Sequence, residues 1–247
     1  MTARLRRVLE ARSFRAWPPL ESARHDGWVL RYAGGYSRRT NSVTPDGDAV
    51  EGLDERLEFC RRWYADRGLS LLVRLTSGSH QVDAALATRG FTLETPVDIL
   101  TRAELPMRSH DAGVSITRGP TDAWFRFHRP LLGADRRDFV DSWRRILASV
   151  EPPTGFALLE ADGRRVAGGF AVADQDWVGL FQLAVHPQHR RRGFGRRLSE
   201  NLLAWGAAEG ATQGYLQVEE ANTAGVGLYR TLGFRPAYSY WYRRVGR

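Results

Sequence analysis

Apolar and polar positions divide the chain into short segments of alternating type. Across residues 155–185 the run GFALLEADGRRVAGGFAVADQDWVGLFQLAV holds three apolar stretches separated by the turn-type clusters ADG and ADQD, which predicts an antiparallel meander. A glycine-containing loop follows, and RRLSENLLAWGAAEG then places Leu198, Leu202, Leu203, Trp205 and Gly206 on one face of a helix ending at Gly210. GYLQV (214–218) reads as a strand, VGLYRTL as a helix stopped by Gly233, and AYSYWYRR as a final aromatic strand. Upstream, GVSITRGP predicts a strand, while TDAWFRFHRPLL and DFVDSWRRILASV predict two helices. The order from 113 to 247 is strand, helices, three-strand meander, helix, strand, helix, strand. That is an α/β chain with a mixed sheet carrying helices.

The first hundred residues repeat part of this order. DGWVLRYAGGYSRRTNSVTP predicts a hairpin turning at AGG, followed by a helix (LDERLEFCRRWYADRGL), a strand (SLLVRL), a helix (HQVDAALATRGF) and a strand (TLETPVDILTR). An ungapped slide that lays Gly90-Phe91 on Gly233-Phe234 also lays residues 59–102 on 202–245. Identities are few, so pattern carries the expectation of two like domains, 1–104 and 113–247, joined by the polar link AELPMRSHDA. The alternative is that two ordinary α/β segments resemble each other.

Composition narrows the classes. With 43% hydrophobic residues, 247 positions can supply a substantial core. A net charge of +8 suits an anionic partner such as a nucleic acid, a membrane surface or a phosphorylated small molecule. All 36 basic residues are arginine, a bias that weakens any inference from charge alone. The single cysteine, Cys60, excludes an intramolecular disulfide framework, and no H-x-x-x-H pair points to zinc, so no metal is expected. No apolar run approaches the ~18 residues of a membrane span, and MTARLRRVLEARSF is too polar for a secretory core. A cytoplasmic location is the default expectation.

The candidate chemistry lies in HRRRGFGRRL, five arginines around two glycines between a strand and a helix. A P-loop needs Lys-Ser/Thr after its second glycine, and the chain has no lysine. A dinucleotide fingerprint needs a third glycine where Leu198 stands. What remains is Arg190-x-x-Gly193-x-Gly195 opening a helix. Arg196 and Arg197 in its first turn oppose the helix dipole, by roughly 0.3–1 kcal/mol each. A bound phosphate would reverse that sign, so the segment reads as a pyrophosphate seat of backbone amides from Arg191 to Arg196, or as a solvated basic turn.

LAVHPQHRRRGFGRRL resembles the acetyl-coenzyme A signature of the GNAT superfamily of N-acetyltransferases, Gln/Arg-x-x-Gly-x-Gly/Ala after a strand. LQVEEANTAGVGLYRTLGF resembles its second signature, an Asn followed seven residues later by Tyr and then GF. The two motifs stand in the right order, and the resemblance covers 113–247. It implies the GNAT acyl-CoA N-acyltransferase fold and transfer of an acetyl group from acetyl-CoA to a primary amine of a small molecule, an amino acid or a protein N-terminus, by direct attack in a ternary complex. The pantetheine would lie along Leu183, Ala184 and Val185. The pyrophosphate would sit on Arg190, Arg191, Arg192, Gly193, Phe194, Gly195 and Arg196. Asn222 matches the residue that bonds the pantetheine, and Tyr229 the hydroxyl that protonates the leaving thiolate; alone, the first would read as a helix cap and the second as a core aromatic. The usual carboxylate on the strand before the loop is missing from WVGLFQLAV, which leaves Glu219 as general base, with Asp176, Glu220 or water as substitutes. Glu219 reads equally well as a solvent-facing carboxylate. The acceptor pocket would form around Trp124, Phe127, His128 and Trp143, aromatic residues that suit many amines or simply form core.

The first half lacks this equipment. TPDGDAVEG brings Asp46, Asp48 and Glu51 where the second half has arginines, and Leu86 falls opposite Tyr229, so 1–104 reads as a degenerate GNAT-like domain that packs on the second half. RYAGGYSRRTNSV is then either the packing strand or a contributor to the acceptor site, and its Arg38, Arg39 and Asn41 favour neither. The expected partners are acetyl-CoA and an amine, without nucleic acid or membrane, for a monomer or homodimer. A non-catalytic acyl-CoA-binding sensor or assembly module is the alternative.

Overall fold

The computed structural model of the protein describes residues 2–106, 111–133 and 139–245; positions 107–110 of the polar link and Asp138 of the second predicted helix lie outside the described residues. The chain opens with α1 (Ala3–Ala16), whose N-terminus is capped by the Thr2 hydroxyl at Leu5 N. Its sequence hides the helix because the buried stripe, Leu9, Arg12, Ser13 and Ala16, is narrow and half polar. β1 (Glu21–His25) and β2 (Trp28–Tyr32) form a hairpin around Asp26-Gly27, both at positive φ. This corrects the expected turn at AGG. Ala33, Gly34 and Gly35 instead begin a longer connection to β3 (Val43–Thr44), pinned by Asn41, whose Oδ1 accepts from the N–H of Ala33 (2.9 Å) and of Gly35 (3.0 Å). β1 escaped notice because ESARH has no apolar alternation, as suits an edge strand.

α2 (Leu53–Ala65), β4 (Leu72–Thr76), α3 (His80–Thr88) and β5 (Phe91–Arg102) complete the first half. The second runs β6 (Val114–Thr117), α4 (Asp122–His128), α5 (Val140–Ala148), β7 (Thr154–Ala161), β8 (Arg164–Asp174), β9 (Trp177–Val185), α6 (Phe194–Ala208), β10 (Gln213–Glu219), α7 (Thr223–Thr231) and β11 (Arg235–Val245). These elements follow the predicted order.

The described strands form one mixed sheet in the order β1-β2-β3-β4-β11-β5-β10-β9-β8-β7-β6. Only β3–β4 and β9–β10 are parallel. β11 lies between β4 and β5, and β5 lies between β11 and β10, so each half's last strand covers an edge of the other half. α1, α4 and α5 share one face with an aromatic core, where Trp17 stacks on Phe170 (5.9 Å) and Phe181 (6.5 Å). α2 and α3, and separately α6 and α7, cover the other face. Among the described residues no helix is long and apolar enough to cross a membrane.

Under α1 the sheet buries charge. Arg74 of β4 donates to Glu10 of α1 through both terminal nitrogens, and Tyr238 Oη donates to the same carboxylate at 2.6 Å. Burial pushes Glu10 upward, but the charge and hydrogen bonds of Arg74 outweigh it and hold the carboxyl below its ordinary range. Arg31 sits buried alongside, its guanidinium over the Phe14 ring at 3.7 Å, with its pKa pushed down to about 10 by burial and by Arg74. Two cations therefore share one anion. Glu10→Gln should cost about 3–5 kcal/mol, because it leaves buried guanidinium without a counter-charge. The midpoint of urea unfolding checks this; a loss below about 1 kcal/mol, the range of an exposed pair, would refute it.

Candidate active site

β9 and β10 pair over only part of their length. Their parallel register runs from Trp177↔Gln213 to Leu180↔Leu216 and stops. Beyond it β10 stays with β5, Glu219 opposite Val97, while β9 stays with β8, Ala184 opposite Gly168. The strands splay into a wedge. His186 N–H donates to Val166 O on the β8 side (2.9 Å), so by strand alternation the N–H groups of Leu183 and Val185 face the wedge, where no strand pairs with them.

The divergence begins at Gln182, a non-glycine residue at φ 49 in a bulge of β9. Three neighbours hold it there. Its carbonyl meets His128 Nε2 at 3.1 Å, its Oε1 accepts from Trp143 Nε1 at 3.1 Å, and its Nε2 donates to Tyr36 Oη at 2.9 Å. Sequence reasoning missed Gln182, since nothing local marks it. Of the two roles open to Trp124, Phe127, His128 and Trp143, acceptor pocket or core, they take the second: they are buried and stacked beneath the bulge, with Trp124 and His128 ring centroids 3.9 Å apart. They support the strand and do not line the cleft.

From Val185 the chain turns through residues 186–193 into α6. Gly193 is the N-cap, at φ 80 with no side-chain cap and open space around it, so backbone conformation rather than crowding calls for glycine. A Cβ on Gly195 would lie 3.1 Å from Leu228 of α7, so that glycine lets the two helices close together. Arg197 N donates to Gly193 O (3.1 Å), while the N–H groups from Arg191 to Arg196 meet no acceptor among the described residues. The turn is a seat of free amides at a positive helix end. Its arginines sort by partner: Arg196 bonds Glu200 (2.8 Å), Arg197 grips Asp111 (2.6 and 2.9 Å), and Arg192 lies 3.8 Å from Asp162. Arg190 Nε reaches back toward Val185 O (3.5 Å), and Arg191 has no ion-pair partner among the described residues. Two of the five arginines are therefore free to meet an anion.

At the mouth of the wedge lies a cleft of about 280 Å³, lined among others by Leu183, Glu219, Asn222 and Tyr229. Asn222 caps α7, its Oδ1 accepting from Gly225 N at 3.0 Å, which is the ordinary role open to it. Tyr229 is half-buried, with its pKa pushed up to about 12 by burial, so its hydroxyl keeps its proton at neutral pH. Glu219 is not a free carboxylate: Arg38 Nη2 donates to it at 2.5 Å while Nη1 donates to Glu94 at 2.8 Å, and Arg244 donates to Glu94 at 2.6 Å. Burial pushes Glu94 upward, but the bonds from Arg38 and Arg244 win and hold it below the usual carboxylate range. Ser37, Arg38 and Arg39, from the segment RYAGGYSRRTNSV, also line it, as do Tyr240 and Tyr242, which the sequence did not point to. Asp176 drops out as a substitute base: it pairs with Arg12 (2.5 Å) just before β9 begins, about 16 Å of extended strand from Phe181. Glu220 is exposed beyond the end of β10.

The corresponding turn of the first half has the opposite polarity. Gly52, at φ 65, caps α2 as Gly193 caps α6, but Arg56 folds back to donate to the carbonyls of Ala49, Glu51 and Gly52. Asp48 Oδ1 accepts from Val82 N in the first turn of α3 (3.0 Å). Arg56 is thus spent on the carbonyls of its own turn and Asp48 on the first turn of α3, and Leu86 is buried on α3.

Residues 2–243 match the family described as "Probable histone acetyltransferase Rv0428c C-terminal". The chain is similar to the probable histone acetyltransferase Rv0428c of Mycobacterium tuberculosis, 30% identical over 230 residues that span 93% of this chain and 70% of that protein. It is similar to the uncharacterized N-acetyltransferase YobR of Bacillus subtilis, 26% identical over 96% of this chain and 97% of the relative. Its fold is that of a GCN5-related N-acetyltransferase from Kribbella flavida (TM-score 0.70, 18% identity, 98% of this chain and 95% of that one).

The clamp on Gln182 carries a pH signature. His128 is held neutral, its pKa pushed down from 6.5 to about 4 by burial, which outweighs the carbonyls of Trp124, Gln182 and Gly168 that favour the charged ring. Between those two pH values the unfolded chain binds the extra proton, so stability is complete above pH 6.5 and falls as pH drops, by about 3 kcal/mol at pH 4. Unfolding midpoints measured from pH 7 to 4.5 should decline less steeply in His128→Asn; equal slopes would remove His128 as the cause.

Proposed function

The chain belongs to the family of the probable histone acetyltransferase Rv0428c C-terminal region and is an acetyltransferase of the GNAT superfamily, and we propose that the wedge between β9 and β10 is where it moves an acetyl group from acetyl-CoA to a primary amine. Membership in an enzyme family displaces the alternative of a non-catalytic acyl-CoA-binding module. The observation that carries the assignment is the early end of β9–β10 pairing at Leu180, which leaves an unpaired strand edge leading from the cleft at Tyr229 to the free amides of the α6 turn.

These residues suit an elongated ligand with an anionic end. The amides from Arg191 to Arg196, with Arg190 and Arg191 beside them, would hold the pyrophosphate. The N–H groups of Leu183 and Val185 would bond the pantetheine arm, with Ala184 turned into the aromatic core and Asn222 on the opposite wall. Acetyl-CoA supplies the thioester. The amine nitrogen bonds to the acetyl carbon, the carbon–sulfur bond breaks, the thiolate takes a proton and the amine gives one up. Tyr229, protonated across the neutral range, is the donor to sulfur. Glu219 is the carboxylate of this cleft and receives the amine's proton; Arg38, bonded to it, orients it. The first half, 1–104, serves as a degenerate GNAT-like domain that holds no coenzyme and builds one wall of the acceptor cleft. Arg56, spent on the carbonyls of its own turn, and Asp48, spent on the first turn of α3, support this reading.

Tyr229→Phe should lower kcat by about 10²-fold or more while leaving the KM for acetyl-CoA within about twofold, as expected of a group that acts in the transition state only. Release of free CoA thiol measures it, and unchanged kcat would remove the role. Glu219→Gln should depress kcat/KM at pH 7 and recover toward the wild-type rate as rising pH deprotonates the amine without help. A deficit independent of pH would mean that another group takes the proton.

A further inference from the structure

The cleft holds one guanidinium that its own walls do not neutralise. Arg38 and Arg244 are balanced by Glu94 and Glu219. Arg39, the next residue along, has no carboxylate within ion-pair distance among the described residues. Its guanidinium carbon lies 4.8 Å from the Trp17 ring centroid and 5.8 Å from that of Phe181. Its carbonyl is anchored by a hydrogen bond from Arg31 Nη2. The layer behind adds to the imbalance, since Arg31 and Arg74 share only Glu10, and Tyr242 packs among these charges while lining the same cleft. A half-buried guanidinium fixed against two aromatic rings has lost part of its hydration, and no internal anion replaces it.

We propose that the acetyl acceptor is an amine carrying a carboxylate and that Arg39 recognises that carboxylate. This rests on the reading of the cleft as the acetyl-transfer site. A guanidinium is a planar fork of N–H donors, and one without a carboxylate of its own can meet a ligand's carboxylate through two parallel N–H bonds. Leu183, Glu219 and Tyr229 line the same cleft, so one small molecule can lay its carboxylate on Arg39 and its amine toward Glu219. Peptide N-termini and lysine side chains lack this pairing, because their α-carboxylates are tied up in peptide bonds.

The test compares α-, β- and γ-amino acids with their carboxamides, which keep the shape and remove the charge, at saturating acetyl-CoA; a short peptide offering an N-terminus and a lysine is the third arm. The wild type should favour the best free acid over its carboxamide by about 10- to 100-fold in kcat/KM, the range of a charged hydrogen-bonded pair. Arg39→Gln should abolish that preference by slowing the acid alone, with acetyl-CoA affinity by calorimetry unchanged, and Arg39→Lys should retain part of it. Equal use of acid and carboxamide by the wild type, preference for the peptide, or a loss in Arg39→Gln that falls on acetyl-CoA binding would each overturn the proposal. If the variant fails to fold, the wild-type comparison still decides. Vigorous acetylation of carboxamides without preference refutes the role of Arg39 only; acetyl-CoA binding with no amine acetylated refutes the assignment of the cleft as well.

Discussion

Everything in the site depends on two parallel strands ceasing to pair after four residues. Strand pairing satisfies backbone groups, and a sheet that gives up part of a central pairing leaves donors open for a ligand. Here the cost is met locally. Gln182 is held at positive φ by His128, Trp143 and Tyr36, which come from α4, α5 and the connection before β3. The acid stability of the molecule and the shape of its cleft are therefore linked through one neutral imidazole.

The second constraint is the exchange of terminal strands. Because β11 enters between β4 and β5, neither half can complete its sheet alone, and residues far apart in the chain meet in one seam. Tyr240 and Tyr242 of the last strand thereby share the cleft walls with Arg38 and Arg39 of the first half, and the Arg38 guanidinium carbon lies 5.0 Å from the Tyr242 ring centroid. Arg56 of the first half bonds the carbonyls of its own turn, and that half lines the cleft through Ser37, Arg38, Arg39 and Val97.

Arginine abundance proves a poor guide until partners are known. Of the five in HRRRGFGRRL, three are drawn toward Glu200, Asp111 and Asp162, and two stay available at the amide seat. Arg39 shows the converse: it belongs to no conspicuous run, yet it is the cation of the cleft that no carboxylate of the described residues matches. Arg38, its neighbour, differs only in that Glu94 and Glu219 lie within reach.

The sequence by itself determined the order of the elements from β2 onward, the mixed sheet with helices, and the amide seat at Gly193, because hydrophobic periodicity and a glycine turn before a helix are local physics. It also determined that Asn222 and Tyr229 stand seven residues apart, at the cap and in the body of one helix. It could not show α1 or β1, whose buried faces are narrow or polar. Nor could it show that β11 crosses into the first half, that Gln182 bends β9, or that Asp176 lies at the wrong end of it. Those are decided by contacts between residues dozens to hundreds of positions apart, where burial and pairing, not local propensity, set the energy. The same holds for charge. Sequence counts arginines, and only the tertiary structure decides which of them already has an anion.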